Sequence, residues 1–552
     1  MRLHMGPILG LLLAMTAAHG QQRSSTGPAD RLGFGIDHLD IAEAVEVIEV
    51  PPRTVTMLGE SMIRERGTRR VGLARDLGAC RSPAALPFLR QVLTDADPSL
   101  RAQAVRSAGE IGDVSIVADL RPLLRDPAAA VRREAVLACA ALADTDPAAA
   151  ALDDPDPAVV AAAVEAVRDG DALAGQLNGL PPAVKPQAIR RLAELGASGH
   201  AEFIATFLTE DIAAKIAAVE ALARLDAAAH AAAMVTLLED AHPAVRRAAT
   251  AALTLVDGAQ RSALAIRMLR DPAAEVRQAA AEVLARQPHP DALDPLVAQL
   301  DDGDEPLRIA ARAALVAMGD VSIEPAAKLL AHTDPARRVD GSHMLGHLRS
   351  DAALDAHLAL LKDSKWEVVA QAAWALGRIG RPEAREPIGD IVQGIPATAG
   401  LLPREQQAAL SEAVVAAARL GVQSATVPMA RLIIELSPTP QRPPAPRLRA
   451  AAIWGFGILS DRADKALCDA LASIVDEVLE QRPPKVEAIK ALGHLRCTSA
   501  ADALRRLAQS SLDPHVRWLA CWAYQRVTGE PIAYAPPIHT HTPQLSIMPL
   551  AQ

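Results

Sequence analysis

Two histidines stand one helical turn apart at His343 and His347, with His357 nearby. At i and i+4 on a helix, two imidazoles share a face and can grip one metal ion. No Glu follows His343, so the zinc-protease pattern, with its general base beside the first ligand, is missing. His539 and His541 form a second, looser pair in a Pro-containing tail. The sequence holds no G-x-S-x-G nucleophile turn, no phosphate-cradling Gly-rich loop and no recognisable Cys–His pairing. Carboxylates are abundant, but they recur at the starts of helical segments, where Asp serves as a cap. The expectation is therefore a protein without catalytic residues, cofactor or metal. The rival reading is an enzyme or enzyme-associated subunit, metal-dependent or lyase-like, built on His343, His347 and His357.

Tryptophan gives a second signal. All five lie late in the chain, at Trp366, Trp374, Trp454, Trp518 and Trp522. Trp374, Trp454 and Trp522 occupy one register slot, six residues after the apolar residue of the apolar-Arg pair. At about 100° per residue, that slot lies about 120° from the buried stripe. Elsewhere it carries Arg106, Glu282 or Lys490. A slot that accepts charge is partly wet, and wet Trp suits a partner interface. The competing reading is that the rings cover gaps between neighbouring units.

The elements that position these residues repeat. DADPSLRAQAVRSAGEIGD from Asp95, DPAAAVRREAVLACAALAD from Asp126, DAHPAVRRAATAALTLVD from Asp240, DPAAEVRQAAAEVLARQ from Asp271 and DEPLRIAARAALVAMGD from Asp304 share one grammar. Later copies begin at Asp334, Asp363 and Leu512. Asp and Pro open a helix as N-cap and first helical residue. An apolar residue and Arg follow, then alanines at helical spacing. A Gly such as Gly109, Gly346, Gly377, Gly457 or Gly493 is expected to end the helix in a left-handed cap. A second apolar helix completes the unit. Neither helix buries its face alone, so the units must stack.

This pattern, with a period of about 30 residues, resembles HEAT repeats, in the short bacterial form also called phycobilisome-lyase-type. The resemblance implies an all-α solenoid of about 14 helix pairs. It also implies a hydrogen-bonded ladder between successive repeats, here of Asp126, Asp240, Asp271, Asp304, Asp334 and Asp513 with Arg132, Arg246, Arg277, Arg308, Arg338 and Arg517. The same family includes chromophore lyases and a di-iron hydroxylase whose metal ligands are His-Glu pairs. No His-Glu dipeptide occurs here, so the resemblance is one of fold.

Composition agrees. The chain has 552 residues with 2% aromatic residues and 41 Pro, which suits many short Ala-rich helices. A formal charge of -9 with no basic cluster argues against nucleic acid as partner. Residues 1–20 (MRLHMGPILGLLLAMTAAHG) read as a cleavable export signal, too short to span a bilayer. No later stretch reads as a transmembrane helix. The expected plan is an exported chain, periplasmic or extracellular. It runs as signal peptide 1–20, leader 21–66, repeats 67–393, an irregular repeat with insertions at 394–446, repeats 447–529 and a tail at 530–552. The expected role is a non-catalytic scaffold binding a protein or peptide. The cysteines, Cys80, Cys139, Cys468, Cys497 and Cys521, read as core residues, with a bridge between Cys497 and Cys521 as the alternative.

Overall fold

The computed structural model describes residues 52–144, 146–225, 228–437, 445–460, 465–477, 482–511 and 513–532. The signal segment, the tail histidines and residues 438–444 lie outside the described residues. Among the described residues every regular element is a helix, and no helix is long and apolar enough to cross a membrane.

The chain divides into an N-terminal unit, ending at Leu329, and a C-terminal unit, beginning at Leu330. Each has two layers. In the N-terminal unit the first layer is α1 (Thr68–Ala79), α2 (Pro98–Ile111), α3 (Ala129–Ala141), α4 (Pro157–Ala166), α5 (Lys185–Glu194), α6 (Ile212–Arg224), α7 (Pro243–Ala251), α8 (Ala274–Arg286) and α9 (Glu305–Ala317). In the C-terminal unit it is α10 (Pro335–Leu348), α11 (Trp366–Ile379), α12 (Arg404–Leu420), α13 (Pro446–Leu459), α14 (Arg482–His494) and α15 (Pro514–Thr528). Within each unit every first-layer helix packs on the next. The second layer is made of helices and 3-10 turns between them, such as Leu86–Val92 and Lys465–Asp476.

The helices begin where the sequence says they should. Asp97 accepts a hydrogen bond from the Ser99 N–H at 2.9 Å, and Asp156, Asp304, Asp334 and Asp513 cap in the same way. Each cap is worth about 1 kcal/mol. In α2 the face made by Leu100, Ala104, Val105 and Ala108 is fully buried.

The ladder is present, with its rungs redistributed. Arg101 forms a two-pronged bond to Asp126 of the next repeat, 2.8 Å on both prongs. Arg70–Asp95, Arg132–Asp154, Lys215–Asp240, Arg246–Asp271, Arg277–Asp302 and Arg338–Asp363 repeat this pairing. The rung acid is thus the residue two positions before the N-cap. Asp126, Asp240 and Asp271 hold that position. Asp304, Asp334 and Asp513 do not, because they are the caps themselves. Arg308 and Arg517 bond instead to backbone carbonyls, Arg308 to those of Asp302 and Gly303 and Arg517 to that of Ser511. Two acids of one Asp-x-Asp start do different work, and spacing alone does not separate them. Burial pushes the Asp126 carboxyl up, but the Arg101 hydrogen bond, the Ala128 N–H and the charges of Arg101 and Arg132 outweigh it and hold it below its ordinary value. Asp154 is lowered first by its bond from Arg132.

The glycines also differ from expectation. Gly109, Gly346, Gly377, Gly457 and Gly493 sit inside helices. The left-handed caps fall instead on Gly112, Gly380, Gly421, Gly529 and the non-glycine Arg349; Gly112 and Gly380 lie three positions beyond Gly109 and Gly377. The inner glycines instead permit close approach. A Cβ on Gly346 would lie 2.5 Å from the Trp374 ring, and one on Gly493 would lie 2.6 Å from Trp522.

A disulfide joins Cys468 to Cys497, while Cys521 is a buried thiol, as are Cys80 and Cys139. The Cys497–Cys521 alternative is therefore corrected. Cys497 opens the turn Thr498–Ala500, which packs on the helix Lys465–Asp476 carrying Cys468. Burial pushes the Cys139 thiol up to about 11.

Candidate functional site

The exposed strip of the first layer is set by helical register. Two slots on each helix line this strip, the Trp slot and the one four residues later; most show surface, but Lys490 in the Trp slot of α14 is buried. In the N-terminal unit these slots hold residues such as Arg106, Arg190 and Glu220, engaged in ion pairs with the neighbouring helix: Arg106–Glu134 and Arg190–Glu220. In the C-terminal unit they hold His343 and His347 on α10, Trp374 and Arg378 on α11, and Val415 and Arg419 on α12. Trp454 and Ile458 follow on α13, Lys490 and His494 on α14, and Trp522 and Arg526 on α15.

Trp374, Trp454 and Trp522 are all half-buried. Each leans on the preceding helix. Trp374 lies over Gly346 and stacks on His343, with ring centres 5.3 Å apart and planes 8° from parallel. His347 meets the same ring at 5.1 Å. Trp522 covers Gly493 and meets the edge of His494 at 5.2 Å. Arg419 holds its guanidinium 6.0 Å from the Trp454 ring centre. In each case an imidazole or guanidinium at the later slot of one helix contacts the ring of the next. Both readings of the Trp slot therefore describe part of the geometry: the rings fill inter-repeat gaps and still show surface.

Around Trp454 three helices leave a recess of about 350 Å³. Ser411, Glu412 and Val415 of α12, Arg447 and Trp454 of α13 and Glu487 of α14 are among its walls. Burial pushes the Glu412 carboxyl up, against the opposing charges of Arg419 and Arg447. Glu487 accepts from the Lys490 ammonium at 3.2 Å. The arrangement offers an aromatic wall, two carboxylates and a guanidinium, which can bind a polar segment and orient it. These polar groups were not singled out from the sequence. The register could have found them, since Glu412 and Glu487 share the slot three residues before the Trp slot.

The histidines do not assemble. His343 and His347 stay together, 4.4 Å between ring centres, as parts of the packing around Trp374. His357 is fully buried in the second layer, its Nδ1 3.2 Å from the Ala353 carbonyl, and burial lowers its proton affinity. Among the described residues no group of three or more His, Cys, Asp or Glu is placed to hold a metal ion.

The HEAT-repeat family profile matches residues 67–140, 261–341 and 323–394. Several solved structures share the fold. The karyopherin Kap121p, bound to the extreme C-terminus of the protein phosphatase Cdc14p, aligns at TM-score 0.54 and 13% identity. The alignment covers 86% of this chain and 65% of that one, so this chain spans slightly less than two thirds of that karyopherin. Importin beta aligns at TM-score 0.54 and 13% identity, over 95% of this chain and 76% of that one. Kap95 in complex with Nup1 aligns at TM-score 0.54 and 14% identity, over 87% and 73%. No curated protein sequence matches the chain.

Proposed function

Since the chain is a HEAT-repeat α-solenoid, we propose that it is a non-catalytic scaffold of the cell envelope that binds a protein or peptide segment along the outward strip of its C-terminal unit. The observation that carries this reading is the recess at Trp454, where a half-buried ring stands beside Glu412, Arg447 and Glu487 between three successive helices. A row of such positions on stacked helices suits an extended partner, because one repeat supplies one contact site. Aromatic and Arg anchors with partial burial supply most of the energy in interfaces of this kind. The solved neighbours seen with protein segments, Kap121p with the end of Cdc14p and Kap95 with Nup1, support the analogy. Export is part of the proposal. It is supported by the signal-like residues 1–20 and by the Cys468–Cys497 bridge, since reducing compartments keep thiols free.

The test is a pull-down from envelope extract with the full chain and with the Trp374→Ala, Trp454→Ala, Trp522→Ala variant, both checked by circular dichroism. The reading expects a discrete partner held by the native chain and lost by a still-helical variant. Equal capture by both would remove the strip as the contact. Loss of helicity in the variant would make the rings structural only. In a fractionated bacterial host, N-terminal sequencing of the exported chain is expected to start at Gln21.

A further inference from the structure

We propose that Arg349, Arg378 and Arg419 form a carboxylate-binding row, which recognises a protein segment bearing acidic side chains at regular spacing. This deepens the scaffold reading and rests on it.

The three arginines belong to consecutive helices of one unit. Arg349 is the left-handed cap of α10, with φ 52°. Arg378 and Arg419 share the later outward slot on α11 and α12. The Arg419 stem lies beside Gly377, its Cδ 3.7 Å from where a Cβ there would sit, which places it next to Arg378. Arg378 holds its guanidinium carbon 5.1 Å from the Trp374 ring centre, and its Nε donates to the Gly346 carbonyl at 3.1 Å. That leaves both terminal nitrogens of a pre-oriented fork for a ligand, which lowers the entropy lost on binding.

Among the described residues none of the three makes an ion pair with a carboxylate. Asp351, two residues beyond Arg349, is taken by Arg381. The guanidinium groups also act on each other. Burial first, then the charges of Arg349 and Arg419, lower the proton affinity of Arg378. Burial and Arg349 lower that of Arg419, with Glu412 opposing. Arg349 and Arg419 are nevertheless exposed residues. Like charges gathered at a surface are relieved by an anion, and Arg binds carboxylates through two parallel bonds. The chain as a whole is acidic, with net charge -9, so the row is a local reversal of sign.

The spacing selects the class of anion. Packed helices lie about 8–10 Å apart. Three residues of an extended chain cover about 10 Å. A segment with an acid at every third residue thus meets one arginine per helix, whereas one compact ion does not span the row. Trp374 beside Arg378 offers apolar contact for the residues between.

The probe is a fluorescein-labelled twelve-residue peptide with Glu at every third position among Ala and Ser, and its twin with Gln in place of Glu. Fluorescence polarisation with the full chain at low salt should show the Glu peptide binding at least tenfold tighter than the twin, and binding should weaken as salt rises. The Arg349→Asn, Arg378→Gln, Arg419→Gln variant should lose tenfold or more, and Arg378→Lys should lose less than Arg378→Gln. Equal affinity for the twin, or an unchanged affinity in a triple variant with native circular dichroism, overturns the proposal. Displacement of the peptide by inorganic phosphate at comparable concentration also overturns it, in favour of a simple anion pocket. If the triple variant loses helicity, Arg349→Asn alone, at an exposed cap, must still reduce affinity. An envelope partner lost by the triple Trp variant but fully kept by the triple Arg variant would leave the scaffold reading standing and remove this one.

Discussion

The two units solve the same packing problem with different chemistry. From α1 to α4 and from α6 to α9 successive helices are joined by Arg or Lys to Asp rungs, from Arg70–Asp95 to Arg277–Asp302. Some of their outward slots hold charges that pair with the neighbouring helix, as Arg190 does with Glu220, and others hold small side chains such as Ala251 and Ala313. From α10 to α15 the same rung recurs at Arg338–Asp363. Further along, Arg449 is buried and bonds to the Ile433 carbonyl and the Ser437 hydroxyl. Burial lowers its proton affinity to about 10. Trp rings on glycines and a disulfide supply what the rungs do not. A strip whose charges are already paired has little left for a partner. A strip of rings and guanidiniums keeps both apolar surface and hydrogen-bond donors available. The difference teaches that the same repeat can present paired charges or rings and guanidiniums by changing two slots per helix.

Acidification should separate the units most strongly. Asp95, Asp126, Asp154, Asp240, Asp271 and Asp302 all have lowered proton affinity in the folded chain. A depressed carboxylate stabilises the fold above its unfolded value of about 4 and loses that contribution as pH falls through the folded value. The N-terminal unit should therefore lose helix first below about pH 4. All tryptophans lie in the C-terminal unit, so far-ultraviolet circular dichroism should fall before Trp fluorescence changes. Coincident transitions would break the comparison.

Next in size is Arg246→Ala. It strands Asp271, whose side chain is only 5% exposed, and should cost about 3–5 kcal/mol in urea melts of the N-terminal unit. Reduction of Cys468–Cys497, which closes a loop across 29 residues, should cost about 3–4 kcal/mol. That loss should appear in Trp fluorescence and spare the N-terminal signal. Gly493→Val should cost about 1–3 kcal/mol by overpacking and shift the emission of Trp522 as its ring is pushed outward. A melt unchanged by Gly493→Val would mean that the Trp522 ring does not need that cradle.

The sequence by itself determined the helix pair, its Asp-Pro start, its period and the register of its outward slots, because these follow from local capping chemistry and from the 3.6-residue turn. It also determined that Trp374, Trp454 and Trp522 share a face. The tertiary structure alone decided which acid of an Asp-x-Asp start is the cap and which the rung, since both fit the same local spacing. It decided that Gly346 and Gly493 receive rings from the next repeat, and that Cys497 meets Cys468 and not Cys521. It also gathered Glu412, Arg447 and Glu487 around Trp454, and Arg349, Arg378 and Arg419 into a row. Each of these depends on the distance between helices far apart in the chain, which no local pattern encodes.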